Sequence, residues 1–226
     1  MTSQAIIFDL DGTLLDTIAD IGGAMNRVLE RHNLPSHPMV RYRELVGWGV
    51  QTLVERCIPA DRRTPEVVKQ CTDEMKKEYG SNPVVSTTPY EGIPSLLTEL
   101  EKRGTRFAIL SNKLDPLVQT IVSRLLGRWN FSHVQGQTAD FPQKPDPSSA
   151  LHVAQLLERK PDDVIYVGDT AIDMETARAA GMYAVGVSWG FREITELHDA
   201  GSHVIINSPD ELLEILDARE SRVAAH

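Results

Sequence analysis

Two aspartates separated by a single residue, Asp9 and Asp11, are the first side chains in the sequence that could do chemistry together. They follow an apolar run, Ala5 to Phe8, that is typical of a strand buried on both faces. Both carboxylates therefore leave the sheet at the carboxyl end of a strand, where open α/β folds bind ligands. Gly12 favours a turn that would let both face one cavity, and carboxylates crowded in one site either raise a pKa or recruit a cation. On its own, the pair is more often a polar loop that closes a strand.

The other candidate catalytic and binding residues follow later predicted strands or lie in the loops after these strands. They are Ser111, Asn112, Lys113, Lys144, Asp169 and Asp173. Each has an ordinary structural explanation: Ser111 as a helix cap, Lys144 as an exposed lysine, and the two aspartates as the acidic start of a helix. Together with the first pair, they supply what phosphoryl transfer requires. The parts are a nucleophile, an acid/base, hydroxyl and amide donors, a fixed cation and carboxylates for a metal.

Short apolar runs that must position these residues recur along the chain. They occupy residues 5–8, 106–110, 163–167, 183–187 and 203–206. Segments with helical spacing lie between them, for example around Leu117 and Ile121. The alternation predicts an α/β fold with a doubly wound, Rossmann-like parallel sheet. Near the carboxyl end, Ser208, Pro209 and Glu211 predict the start of a last helix with a capping box.

Residues 17–86 break the alternation, because they contain no strand-like apolar run. Their first part carries Ile18, Ile21 and Met25 at the spacing of an amphipathic helix. Some seventy residues of helix are far more than the roughly 10–12 that a βαβ crossover needs. We therefore predict an inserted all-helical domain at residues 17–86, and a Rossmann-like catalytic core formed by residues 1–16 and 87–226.

Composition narrows the classes of function. The formal net charge of −9 argues against a nucleic-acid binder, because affinity for a phosphate backbone draws on clustered Lys and Arg. The sequence has no apolar run of the roughly 18 residues that a membrane span requires, and no basic amino-terminal region typical of a signal peptide. Cys57 and Cys71 lack the spacing of a disulfide framework. We expect a cytoplasmic protein that acts on a small molecule, as a monomer or a homodimer.

These motifs resemble those of the haloacid dehalogenase superfamily of phosphotransferases over the whole chain. The four motifs correspond to Asp9-x-Asp11-Gly12-Thr13, Ser111, Lys144 and Gly168-Asp169-x-x-x-Asp173, and the insertion is similar to the superfamily's cap domain. Within the superfamily, three further segments are similar to phosphoglycolate phosphatases. They are Asp16-Thr17, Val46-Gly47-Trp48-Gly49 and Ser111-Asn112-Lys113.

The resemblance implies a role for each motif residue. Asp9 would attack phosphorus and form an aspartyl-phosphate, while Asp11 would protonate the leaving alkoxide and later take a proton from water. Ser111, Asn112 and Lys144 would bind the oxygens of the transferring phosphate.

The resemblance also implies a magnesium site. Mg²⁺ prefers oxygen ligands and would be held by Asp9, the backbone carbonyl of Asp11 and Asp169. Asp173 would support the site indirectly, and Thr13 would orient the first motif loop. The implied substrate is a small-metabolite phosphate monoester, similar to phosphoglycolate.

Other members of the superfamily are less compatible with the sequence. A dehalogenase does not use a second acid in the first motif, so Asp11 argues against that reaction. A phosphonate hydrolase of this type needs a cap lysine for a Schiff base, and residues 17–68 contain no lysine. A sugar phosphate mutase shares the core and the cap, and often has a hydrophobic residue where Thr13 stands; it stays open as an alternative.

A phospho-signalling module is the alternative from another class. Receiver modules also gather acids, a hydroxyl and a lysine at a sheet edge. Their phosphorylated aspartate lies on a later strand, however, and they lack an inserted helical domain. A non-catalytic protein on this scaffold stays open as well, since fold does not fix function.

The leaving group would be recognised by the cap and by residues near the second motif. The candidates are Arg43, Gly47, Trp48, Gly49 and Lys113. Arg43 could meet a substrate carboxylate, and the glycine-flanked Trp48 could form a recognition loop or simply pack cap against core. Lys113 is equally compatible with an exposed lysine at the start of a helix.

Overall fold

A six-stranded parallel sheet forms the centre of residues 4–224, the part of the chain that the computed structural model describes. In chain order, the strands of the fold are β1 (Ala5–Phe8), β2 (Leu15–Asp16), β3 (Thr88–Pro89), β4 (Arg106–Leu114), β5 (His133–Gln137), β6 (Val164–Gly168), β7 (Tyr183–Val187) and β8 (Val204–Ile206). The main sheet has the order β5-β4-β1-β6-β7-β8, and every pairing in it is parallel. The strand order reverses beside β1, which is the position where doubly wound folds bind ligands. The predicted Rossmann-like parallel sheet is confirmed.

The edge strand β5 is the one strand of the six-stranded sheet that the apolar pattern did not predict. Its sequence is His-Val-Gln-Gly-Gln, with Val134 as the single large apolar residue. An edge strand has a neighbour on one side only and needs fewer apolar side chains than the buried β1, whose four residues are at most 1% exposed.

Ten α-helices surround or extend this sheet within the described residues. They are α1 (Ile18–Arg31), α2 (Met39–Leu45), α3 (Gly49–Cys57), α4 (Pro65–Ser81), α5 (Ile93–Arg103), α6 (Asp115–Leu125), α7 (Ser148–Leu156), α8 (Ala171–Ala179), α9 (Ile194–Asp199) and α10 (Glu211–Ala224). Short 3₁₀ turns occupy Ala60–Arg62 and Pro161–Asp163. Helix α10 begins at Glu211 rather than at the predicted Pro209, because the Glu211 carboxylate accepts hydrogen bonds from the Asn207 N–H and the Ser208 hydroxyl and holds the preceding residues in a turn.

The two faces of the sheet are buried by different helices. On β1, Ile6 and Phe8 contact the apolar cluster that includes α5, α6 and α10, whereas Ala5 and Ile7 contact the cluster of α7, α8 and α9. Side chains alternate between faces along a strand, so one apolar run serves both layers. Each buried Ile or Phe contributes about 1.5–3 kcal/mol to folding. None of the helices in residues 4–224 combines the length and apolar character needed to cross a membrane.

The helices α1 to α4 form the insertion, which we call the cap. The chain enters it after β2 and leaves it before β3, and these two short strands pair antiparallel, Leu15 with Pro89 and Asp16 with Thr88. Next to this pair, the Asp20 carboxylate accepts hydrogen bonds from the backbone N–H groups of residues 85–87 and from the Thr87 hydroxyl. We call β2, β3 and the Asp20 contacts the neck. The domain boundaries at residues 16/17 and 86/87 stay a prediction.

Candidate active site

The first motif loop turns sharply at Gly12, directly after β1. Gly12 has φ of +90°, and a Cβ atom at this position would lie 2.2 Å from Oδ2 of Asp169. Only glycine combines this left-handed backbone with such a close approach to another side chain. The turn brings Asp9 and Asp11 to the same cavity, as the sequence predicted from Gly12.

Lys144 is the buried cation at the centre of the site. Its ammonium group donates to Oδ1 of Asp9 at 2.8 Å, to Oδ1 of Asp173 at 2.7 Å and to the Leu110 carbonyl at 3.2 Å. The Lys144 side chain is only 3% exposed, and burial alone would lower its pKa, but the two aspartates raise the pKa well above its usual value. All three ammonium hydrogens therefore have partners, and Lys144 stays charged.

Three buried carboxylates, those of Asp9, Asp169 and Asp173, lie close enough to share one ion. One oxygen of each lies within 4.8 Å of the others. Burial, opposed by Lys144 and reinforced by Asp173 and Asp11, raises the pKa of Asp9 to about 7. Burial and the repulsion from Asp173 and Asp9 also raise the pKa of Asp169 well above its usual range.

This cluster fits a divalent cation. A bound cation would offset the burial and the mutual repulsion that raise these pKa values, and the donor set consists of carboxylate oxygens, which suit hard ions. Of the residues expected to hold the metal, Asp9 and Asp169 are brought together in this cluster, with Asp173 as an additional carboxylate.

Asp169 is fixed by residues on two other segments. Its Oδ1 accepts from the Thr13 hydroxyl at 3.1 Å, and its Oδ2 accepts from the Phe191 N–H at 2.8 Å. A Cβ on Gly190 would lie 2.2 Å from Cβ of Asp169, so the loop after β7 needs glycine there to approach. The sequence did not predict a role for this loop, although a glycine soon after a predicted strand is a signal for a close backbone approach.

Asp173 uses both of its oxygens within the protein. Besides the bond to Lys144, Oδ2 accepts from the N–H of Thr170 at 3.1 Å and from its hydroxyl at 2.7 Å. These contacts complete a capping box at the start of α8. Asp173 therefore acts both as a helix cap and as a support for Lys144.

Asp11 belongs to a second polar group that reaches into the cap. Its Oδ1 accepts from the Thr17 hydroxyl at 2.7 Å and from the Lys113 ammonium at 2.7 Å. Lys113 also lies 2.9 Å from the hydroxyl of Tyr79, a residue of the cap helix α4. The Lys113 side chain is 7% exposed, so it is not an exposed lysine at a helix start. The sequence did not indicate a role for Tyr79, because its partner Lys113 is 34 residues away along the chain.

Asn112 joins the cap to the core. Its amide nitrogen donates to the Gly47 carbonyl at 3.0 Å and to the Lys144 carbonyl at 3.1 Å, and its oxygen accepts from the Lys144 N–H at 2.9 Å. Arg192 makes a similar connection by donating to the carbonyls of Glu44 and Val46 at the end of α2. Both amide hydrogens of Asn112 are occupied, so a side-chain contact to phosphate would require it to release one of these carbonyls.

The cavity between cap and core has two dissimilar ends. Ser111, Asn112, Lys144 and the carboxylates of Asp9, Asp11 and Asp173 line one end. The rest of the lining is mostly apolar and includes Ile21, Val50, Leu53, Met75, Leu114 and Leu117, together with Lys76, Tyr79 and Lys113, of which Lys113 contacts Asp11 directly. Gly47 and Gly49 also line the cavity, whereas Arg43 is exposed and neither it nor Trp48, which lies under Arg56, belongs to the lining.

Comparisons with known proteins agree with this arrangement. The family model of the haloacid dehalogenase-like hydrolases matches residues 6–187. A phosphoglycolate phosphatase from Aquifex aeolicus is 31% identical over 95% of this chain and 97% of its own length. An N-acetylmuramic acid 6-phosphate phosphatase from Pseudomonas aeruginosa is 32% identical over 96% of each chain. A crystal structure from Lactobacillus delbrueckii subsp. bulgaricus superposes with a TM-score of 0.89 at 29% identity, covering 96% of this chain and 99% of that one.

Proposed function

The chain belongs to the haloacid dehalogenase-like hydrolases, and from this premise we propose that it is a magnesium-dependent phosphatase that works through an aspartyl-phosphate on Asp9. It is a phosphoric monoester hydrolase by its relatives. The observation that carries the mechanism is the buried Asp9 carboxylate, which lies 2.8 Å from the Lys144 ammonium and in one cluster with Asp169 and Asp173. The proposed substrate is a small-metabolite phosphate ester of the phosphoglycolate type.

Asp9 is the nucleophile in the first step. Lys144 binds its Oδ1, and Oδ2 has no hydrogen-bond donor among residues 4–224, which leaves that oxygen free to attack phosphorus. A bond forms between Asp9 and phosphorus, the bond from phosphorus to the ester oxygen breaks, and the leaving alkoxide takes a proton from Asp11. Asp11 suits this task, because Thr17 and Lys113 both bind its Oδ1 and leave its second oxygen without a protein partner in the described chain.

Asp11 reverses its role in the second step. It takes a proton from a water molecule as that water attacks the phosphorus of the aspartyl-phosphate. The bond between Asp9 and phosphorus breaks, inorganic phosphate leaves, and both aspartates return to their starting states. The position of Asp11 beside Asp9 in the same cavity supports one residue serving both steps.

Asp9, the backbone carbonyl of Asp11 and Asp169 would hold Mg²⁺, which would supply positive charge to the transferring oxygens and keep Asp9 ionised. Asp173 would act through Lys144, to which its Oδ1 is bound at 2.7 Å. Thr13 orients Asp169 through its hydroxyl.

Ser111 and Lys144 would bind the phosphate oxygens, because both line the cavity beside Asp9. Lys144, whose three donors have protein partners, would exchange one of these partners for a phosphate oxygen. Asn112 would support them by fixing the backbone of Lys144. The substrate would enter from the cap side, where Gly47, Gly49 and Lys113 face the same cavity. We also propose a cytoplasmic location and a monomeric or homodimeric state.

Release of inorganic phosphate from p-nitrophenyl phosphate tests the proposal. We expect turnover that requires Mg²⁺, stops in excess chelator and returns when Mg²⁺ is added back. Full activity in excess chelator would refute the metal assignment. A protein that binds phosphate esters but turns none of them over would instead favour the non-catalytic alternative.

A further inference from the structure

Lys113 is the one buried cation that the leaving-group end of the cavity offers among the described residues. Three lysines line the cavity, and no arginine or histidine of residues 4–224 does. Lys144 has three hydrogen-bond partners at the phosphate end. Lys76 is exposed and also borders a separate groove on the outside of the cap.

The contacts of Lys113 leave one of its hydrogen-bond donors able to bind an anion. An ammonium group has three donors, and Lys113 uses one on Asp11 and one on Tyr79. Burial alone would lower the pKa of Lys113, but the neighbouring Asp11 raises it, so the side chain is charged at neutral pH. The third donor has no acceptor in the part of the chain that the structure describes.

The position of Lys113 relates it to the ester oxygen. Its ammonium lies 2.7 Å from Oδ1 of Asp11, the residue proposed to protonate that oxygen. A carboxylate one carbon away from the ester oxygen spans about 3–4 Å by covalent geometry, and a charged hydrogen bond adds about 2.8 Å. Since Asp11 contacts Lys113 and is proposed to protonate the ester oxygen, a leaving group whose carboxylate lies close to the ester oxygen can reach both residues at once.

The remaining wall offers little to a polyhydroxylated leaving group. Ile21, Leu53 and Met75 are at most 5% exposed and line the cavity together with Val50, Leu114 and Leu117. A sugar would lose the hydration of its hydroxyls there without gaining hydrogen bonds in return. The wall suits a short carbon skeleton.

We propose that Lys113, positioned by Tyr79, binds the carboxylate of a short hydroxy-acid leaving group and so selects charged over uncharged esters. This inference rests on the proposed phosphatase function. It assigns to Lys113 the role that the sequence suggested for Arg43, which lies outside the cavity lining.

The test compares 2-phosphoglycolate with 2-phosphoglycolamide, an ester of nearly the same shape in which an uncharged amide replaces the carboxylate. The readout is the ratio of their kcat/KM values within one enzyme variant, so any effect on Asp11 that is common to both esters cancels. We expect the wild-type protein to favour the carboxylate by about 10- to 100-fold, because a site built to bind a charged group rejects the analogue without it. In Lys113→Met the ratio should fall to about 1.

Two further variants separate recognition from structure. Tyr79→Phe keeps Lys113 but removes one of its hydrogen bonds, and should lower the ratio by less than Lys113→Met does. Lys76→Met removes an exposed lysine of the same cavity, and should leave the ratio within about twofold of wild type, because exposed charges are screened. If Lys113→Met turns over neither ester, the ratio of their dissociation constants, measured by calorimetry with Mg²⁺ in an Asp9→Asn background, gives the same comparison.

The possible failures are distinguishable. A wild-type ratio near 1, or an unchanged ratio in Lys113→Met, would overturn the assignment of Lys113 while turnover of p-nitrophenyl phosphate still upholds the phosphatase. Hexose 6-phosphates turned over as efficiently as 2-phosphoglycolate would overturn the short-chain substrate. A wild-type protein that hydrolyses no ester would remove the proposed function and this inference with it.

Discussion

The phosphate end of the cavity and the cap wall opposite it are built in different ways. At the phosphate end, Lys144, Asp169 and Asp173 are buried and each has at least two polar partners. On the cap wall, side chains such as Leu53 and Met75 make only apolar contacts. Removing one member of a buried charged network leaves its partners uncompensated, whereas an apolar wall tolerates exchanges of similar volume. The difference indicates that the polar groups able to do chemistry lie in the core, whereas the apolar side chains that the cap contributes can vary more freely.

Asp9→Asn should have the largest effect. The change removes the nucleophile and very little volume, so turnover should fall by about 10⁴-fold or more while the fold persists. Activity and circular dichroism, measured side by side, check this. Asp16→Asn is the matched control, since it changes an exposed aspartate of the same loop. Wild-type turnover in Asp9→Asn would rule out an aspartyl-phosphate at this residue.

Asp11→Asn should have the next largest effect, about 10²- to 10⁴-fold, as for loss of an acid/base. The effect should be greater for alkyl than for aryl phosphates, because an aryl oxide leaves without a proton. Rapid-quench experiments with an activated aryl phosphate should give a burst of about one equivalent of phenol, followed by slow turnover. Equal slowing of both steps for both substrates would exclude Asp11 as the acid/base. A wild-type intermediate that passes phosphate to a sugar faster than to water would support the mutase alternative.

Asp169→Asn should weaken Mg²⁺ binding by about 10- to 100-fold, in the range found when groups around a metal are changed. Activity should partly return at high Mg²⁺, because the nucleophile and the acid/base are unaltered. A magnesium titration of turnover checks this. A variant whose activity is low at every Mg²⁺ concentration, with unchanged metal affinity, would mean that Asp169 does not hold the ion.

Asp20→Asn tests the neck that joins the two regions. Burial would raise the pKa of Asp20, but the hydrogen bonds from Thr87, Val85 and Ser86 lower it. A carboxyl whose pKa is lowered by folding stabilises the fold above its unfolded pKa of about 3.9, and this contribution is lost as the pH falls through the folded value.

At pH 7 the variant should lose about 1–3 kcal/mol of unfolding free energy. The deficit relative to wild type should shrink below about pH 4, where the wild-type Asp20 also becomes neutral. Urea unfolding at several pH values measures this difference in unfolding free energy. A deficit that does not depend on pH would contradict a stabilising role for the Asp20 charge.

Met75→Leu should have the smallest effect. A volume-conserving change in an apolar wall costs under about 1.5 kcal/mol in stability, and kcat should stay within about threefold of wild type, with any change appearing in KM. Steady-state kinetics and thermal unfolding check both. A loss of kcat as large as that of Asp11→Asn would show that the cap wall takes part in the chemistry.

The sequence predicted the strands and motif residues of the core more completely than the contacts in the cavity between core and cap. Buried strands such as β1 are recognisable because they are apolar throughout, and Asp9 and Asp169 follow such strands directly. The edge strand β5 is too polar for that signal. The two-residue strands of the neck are too short for any periodicity.

Contacts across the cavity could not be predicted, because they depend on which residues of distant segments meet. From the sequence, Lys113 is equally compatible with a substrate contact and with an exposed lysine at a helix start. Its low exposure results from its contacts with Asp11 and with Tyr79 of the cap. The contact of Arg192 with the Val46 carbonyl joins residues 146 positions apart. Asn112 looks like a phosphate ligand in its motif, and only the structure reveals the two carbonyls to which its amide donates.

The neck also bears on how such a protein can diversify. Residues Asp16 and Thr88 are paired, so the chain leaves the core and re-enters it at points about 5 Å apart. Almost any segment that folds with its two ends together could be spliced between them without moving β1 or β4. The neck fixes only where the insertion begins and ends, so the length and fold of the insertion can change while the aspartates after β1 stay in place, provided that the cap contacts of Asn112, Lys113 and Arg192 change with it.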